Sequence, residues 1–140
     1  MKRGHWLIVL AVVVGLATLG LALGACGQGQ GEAQALRVLQ HTFQSAVVTN
    51  TNGTAMDVSQ LSNVGIQVEG ITTATVTFQA TIDNDTWYAI QATNRNSGSA
   101  ATSTTADGIF AIEVDEFKFV RCPVSSWSGG TITVRAIGKD

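Results

Sequence analysis

Between Val64 and Ile82 apolar and polar residues take turns, and that period of two leaves the backbone little choice. In "VGIQVEG" the side chains of Val64, Ile66 and Val68 share one face, and in "TATVTFQATI" those of Ala74, Val76, Phe78, Ala80 and Ile82 do the same. Successive residues of a strand point to opposite sides, whereas a helix would spread these side chains around its circumference. The alternate positions are mostly Thr, Gln or Gly, so the second face is wet.

Further strands are predicted in "FQSAVVT" (43–49), "WYAIQAT" (87–93), "GIFAIEV" (108–114), "FKFVRCPV" (117–124) and "TITVRAI" (131–137). Turn signals fall between them in "NTNGT" (50–54), "DND" (83–85), "DE" (115–116) and "SSWSGG" (125–130). Short strands at this spacing, with a single proline at Pro123, predict an all-β fold over residues 43–140. The expected architecture is an antiparallel β-sandwich of jelly-roll or Ig-like type with about seven to eight strands. Val76, Phe78, Trp87, Phe110, Phe119, Val120, Ile132 and Val134 are its expected core. Edges such as "TITVRAI" offer themselves for pairing between copies. Residues 27–42 are expected to form a tether, with "GEAQALRVLQHTFQ" as a helical candidate.

The N-terminus is of another kind. After Lys2 and Arg3 no acidic or basic side chain other than His5 occurs until Glu32. The run between carries Trp6, Leu7, Ile8, Val9, Leu10, Val12, Val13, Val14, Leu16, Leu19, Leu21 and Leu23. As a helix, residues 6–25 would span about 30 Å, the thickness of a bilayer's hydrocarbon, so residues 1–26 read as a signal sequence or a transmembrane anchor. Leu23-Gly24-Ala25-Cys26 resembles the lipobox of bacterial lipoproteins, which implies lipid attachment at Cys26 and cleavage before it. Under either reading the basic start stays in the cytoplasm and the rest of the chain lies outside it.

Candidate chemistry is sparse. Arg37, Arg95, Lys118, Arg121, Arg135 and Lys139 stand singly, without the clustered charge that phosphate contact requires, so no nucleic-acid partner is expected. Beyond the leader there is one histidine, His41, and one further cysteine, Cys122, set among apolar neighbours. No acid, base or nucleophile comes with an orienting partner, and Glu113, Asp115 and Glu116 read as the polar residues of a strand and its turn. No enzyme, metal or cofactor is expected. Asp83-Asn84-Asp85 supplies too few oxygens for Ca²⁺ and reads as a tight turn ahead of a core Trp87. "TNRNSGSAATSTTAD" (93–107) is small and polar throughout and reads as a mobile rim loop. Asn94, Arg95 and Asn96 in it, together with Tyr88 and Trp127, are the candidates for contact with a partner or a glycan.

Taken in order, "TNGTAMDVSQLSNVGIQVEG", "ATVTFQATIDNDTWYAIQAT" and "TADGIFAIEVDEFKFVRCPVSSWSGGTITVRAIG" resemble the small β-sandwich structural proteins of tailed phages, over about residues 45–138. The resemblance implies a noncatalytic virion component, such as a decoration or fibre subunit, that works in many copies. The leader departs from that pattern and implies display outside a membrane, on a cell or on a virion. Expected partners are membrane lipid through the N-terminus, copies of the chain itself and other structural proteins. The alternative is a membrane-anchored lipoprotein adhesin or carbohydrate-binding module, since a turn followed by Trp is also found in carbohydrate-binding sandwiches.

Overall fold

The computed structural model describes residues 37–140, and the leader, the lipobox with Cys26 and most of the tether lie outside the described residues. In chain order the strands are β1 (Val38–Val47), β2 (Met56–Asp57), β3 (Asn63–Thr77), β4 (Gln79–Thr81), β5 (Tyr88–Ala89) and β6 (Ala92–Asn94). They continue with β7 (Ala100–Ala101), β8 (Ser103–Thr104), β9 (Gly108–Glu113), β10 (Phe119–Arg121) and β11 (Val124–Lys139). All pair antiparallel, in a seven-stranded sheet ordered β1-β11-β3-β9-β6-β7, with β8 on the far end of β3, and a four-stranded sheet ordered β2-β10-β4-β5. The fold is thus the expected all-β antiparallel arrangement in two sheets.

The two sheets bury their facing sides on each other. Val64, Ile66 and Val68 of β3, Ile132 and Val134 of β11, Phe110 and Ile112 of β9, and Ala80 and Val120 of the small sheet form one contiguous apolar core. Phe43, Met56, Val58 and Leu61 belong to the same core. Area removed from water on this scale is the main source of stability for a chain of this size.

Three strand runs legible in the sequence break where the chain passes from one sheet to the other. The run 74–82 divides at Phe78, between β3 and β4; the run 87–93 divides at Ile90 and Gln91, between β5 and β6; and 117–124 divides at Cys122 and Pro123, between β10 and β11. The crossings adjoin one another: Ile90 donates its amide to the Phe78 carbonyl (2.9 Å), Phe78 to Thr102 (2.9 Å) and Thr77 to Pro123 (3.0 Å). Proline, with no N–H to give a ladder, suits such a corner. Phe78 is fully buried there against Phe110, with ring centroids 4.9 Å apart. The Cys122 carbonyl accepts from Gln44 Nε2 (2.9 Å), which gives the buried Gln44 amide its partner at a bulge of β1.

Several expectations are corrected. Residues 38–44 of the helical candidate are strand, since pairing with β11 overrides a weak helical preference. "SSWSGG" is the bulged part of β11, where Ser126 and Gly130 take positive φ (53° and 96°) and the strand stays paired with β3. "TITVRAI" is no edge, because β11 lies between β1 and β3. Residues 93–107 form a hairpin, β6–β7, and β8; their side chains are mostly exposed, so the backbone pairs without leaving an apolar pattern. Trp87 and Phe119 are only half-buried, outside the core, and Ile82 is 72% exposed.

Candidate functional site

Asp83 builds a turn around its own carboxylate. Its Oδ1 accepts from the Thr81 hydroxyl (2.7 Å) and from the amides of Asp85 (2.9 Å) and Thr86 (3.0 Å). Thr81 Oγ1 in return accepts from the amides of Asp83 (3.3 Å) and Asn84 (3.2 Å), and Asn84 takes the left-handed φ of 64° that asparagine tolerates. The Thr81 hydroxyl first, then the two amides, pull the Asp83 carboxyl down to about 2. One carboxylate oxygen, Asp83 Oδ1, is thus engaged in closing the turn.

Behind the turn Trp87 lies under the Arg121 guanidinium, 4.2 Å from its ring centroid, and Arg121 Nε donates to Gln79 Oε1 (2.8 Å). A cation over an indole face covers Trp87 without placing it between the sheets. Tyr88, 68% exposed, follows on β5 of the small sheet. Trp127 belongs to the larger sheet: its ring N–H donates to the Gly130 carbonyl (3.0 Å) and its amide to Asn50 Oδ1 (2.9 Å).

Asn94 organises the β6–β7 hairpin, accepting at Oδ1 from the amides of Asn96 (2.8 Å) and Ser97 (3.3 Å) and at its carbonyl from Gly98 (2.8 Å). Arg95 stands exposed at its start, with its amide tied to the Ile109 carbonyl (2.8 Å). Its side chain therefore leaves the rim and joins the outer face of the seven-stranded sheet.

That face carries the clearest concavity. Registers across six strands align Ala100, Thr93, Ala111, Gly65, Ile137 and Gln40 in one row. Residues directly opposite in adjacent strands share a face, so four small side chains in series make a trough. Ile109, Gln67, Arg135 and Thr42 wall one side of it, and Glu113, Asn63, Lys139 and Val38 the other. Its main depression, about 620 Å³, lies over Gly65, Gln67, Arg135 and Ile137, and adjoining ones of about 310 Å³ and 200 Å³ bring in Gln91, Thr93, Arg95 and Lys139. Arg95 is the one sequence-flagged residue here. The available signal was Gly65, a glycine inside a strand, which marks close approach of another group.

His41 and Cys122 have structural roles. His41 Nε2 is 3.0 Å from Thr54 Oγ1, its ring packs edge-on against Phe43 (4.9 Å), and burial lowers its pKa. Cys122 is fully buried, and burial drives its thiol far up, away from the thiolate a nucleophile needs. Asp115 and Glu116 form the expected turn, closed by the Phe117 amide on the Val114 carbonyl (3.0 Å). Among the described residues no group of three His, Cys, Asp or Glu side chains is placed to hold a metal ion.

The sequence profile of the XepA family matches residues 37–138. Two solved structures are similar to the chain. The SPBc2 prophage-derived protein YomS has a TM-score of 0.71 at 20% identity, over 76% of this chain and 96% of its own. The PBSX exported protein XepA has a TM-score of 0.74 at 19% identity, over 78% of this chain and 40% of its own. At such identities the likeness is one of fold. No curated protein sequence matches the chain.

Proposed function

The chain belongs to the XepA family, and from that premise we propose that it is a noncatalytic, phage-type β-sandwich subunit, displayed outside a membrane and acting by assembly with copies of itself or other structural proteins. Its fold is shared with one protein described as prophage-derived and another described as exported, which supports both the phage association and a place beyond the cytoplasm. The apolar run after Lys2 and Arg3 supplies the means of delivery, with Cys26 as the point of lipid attachment.

The observation that carries assembly is β1. Among the described residues it is one edge of the seven-stranded sheet, and at ten residues far longer than β7 at the other. Thr54 covers only part of it, through the carbonyls of Thr42 and Phe43. Val38 and Leu39, 52% and 37% exposed, leave the first part open to another strand. An edge of this kind recruits strands unless charge blocks it. The noncatalytic reading draws support from the sealed Cys122 and the structural bonding of His41.

Light scattering and electron microscopy of the full-length protein test this reading. Discrete oligomers are expected, and V38K/L39K should release folded monomers with an unchanged β-sheet circular dichroism spectrum. A wild-type chain that stays monomeric at all concentrations, or oligomers indifferent to the two lysines, would overturn assembly through β1. For the leader, Cys26→Ala should abolish lipid labelling and processing; an unaltered mature mass would exclude lipidation.

A further inference from the structure

We propose that the trough on the outer face of the seven-stranded sheet binds a linear glycan bearing carboxylates. The inference goes beyond assembly through β1 and does not depend on it, because the trough uses a face and not an edge.

The row from Ala100 to Gln40 crosses six strands, so at about 4.8 Å per strand the trough is about 24 Å long. It runs across the strands. Backbone N–H and C=O groups of a sheet interior are spent on neighbouring strands, so the floor offers no ladder to an extended peptide, whose own amides would go unpaired. A chain of sugar rings has the complementary requirements. Its C–H faces can lie on Gly65, Ala111 and Ile137, while its hydroxyls meet the Thr93 hydroxyl and the Gln40 amide along the floor and the amides of Asn63 and Gln91 beside it.

Charge selects among glycans. Arg135 is neutralised by Glu69 at 3.3 Å, the ion pair seen among the described residues. Arg95 and Lys139 both line the depression over Gly65, Ala111 and Asn63, and among the described residues neither enters such a pair. Against these two cations stands one carboxylate, Glu113, which lines one depression together with Arg95, Gln91 and Thr93. The surplus is positive, and Arg95 offers the planar fork that binds a carboxylate bidentately.

Gly65 makes the trough testable without unfolding the sheet. A Cβ there would meet Ile137 Cγ2 at 3.4 Å, an ordinary contact, and valine is favoured in strands, so Gly65→Val adds bulk to the floor of a strand it suits. Calorimetric titration of the full-length protein would use hexagalacturonate as the acidic probe and chitohexaose as the neutral one. Hexagalacturonate should bind at least tenfold more tightly than chitohexaose and weaken as salt rises. Gly65→Val and Arg95→Gln should each weaken it at least tenfold with the melting temperature unchanged. Failure of hexagalacturonate to bind, equal binding of the two probes, or binding that Gly65→Val leaves intact would each overturn the proposal. So would a Gly65→Val chain that loses self-association while the wild type binds neither sugar, since the face would then be an interface between copies. Because Val38 belongs to the trough's wall, the single variant L39K, on the opposite face of β1, is the one whose oligomeric state separates failure of the assembly reading from failure of this one.

Discussion

At the scale of single residues, two aromatics that look alike in the sequence have opposite surroundings. Phe78 is fully enclosed where the three sheet crossings meet, so Phe78→Ala should cost about 3–5 kcal/mol, by lost transfer energy and the cavity left behind. Trp87 is half-exposed and loses mainly the Arg121 stack, so Trp87→Ala should cost only about 1 kcal/mol. Urea denaturation of the two variants checks the contrast. Asp83 gives a prediction in pH. Its folded value, about 2, lies below the ordinary carboxylate value, so its contribution to the turn is complete above about pH 4 and is lost as pH falls through about 2. The amide resonances of Asp85 and Thr86, which donate to that carboxylate, should titrate with a midpoint near 2, and Asp83→Asn should abolish the titration.

At the scale of elements, the long β3–β11 pair is held together across its irregular middle by two glycines. Gly70 and Gly130 have φ of +84° and +96°, and a Cβ on Gly70 would fall 2.0 Å from the Thr131 carbonyl oxygen, while one on Gly130 would fall 2.5 Å from the Gly70 oxygen. Backbone meets backbone there, and neither side can rotate away. Gly70→Ala should therefore destabilise by more than about 2 kcal/mol, beyond what the left-handed conformation alone costs, whereas Gly98→Ala in the open β6–β7 turn should cost only that conformational penalty of ~1–2 kcal/mol. Thermal melts of the pair measure the difference. Gly130 sits in "SSWSGG", which was expected to be a turn, whereas Gly70 ends the strand run "VGIQVEG". The strand survives because the partner's ladder resumes on either side of the register shift.

At the scale of the whole molecule, the crossings at Phe78, Ile90–Gln91 and Cys122–Pro123 tie the two sheets into one core, so neither should unfold alone. Chains retaining only Trp87, on the small sheet's side, or only Trp127, on the large sheet, should report the same urea midpoint; separate midpoints would mean that the sheets melt independently. The alternation in β3, β9 and the latter part of β11 was legible because one face of each strand is buried and the other wet, and burial of that kind writes itself into residue type. Sequence alone also settled the antiparallel all-β class and the buried places of Phe78, Phe110, Val120, Ile132 and Val134. It could not settle the hairpin within residues 93–107, the splitting of three runs at the crossings, or the strand at Val38, because those depend on backbone pairing with distant segments and carry little apolar signal. The trough belongs to the same class: each of its residues reads as an ordinary outward position, and only the register of six strands brings Gly65, Ala111, Thr93 and Ala100 into one line. Hydrophobic burial is a property of each residue and its period, whereas register and corner placement are set by contacts between residues far apart in the chain.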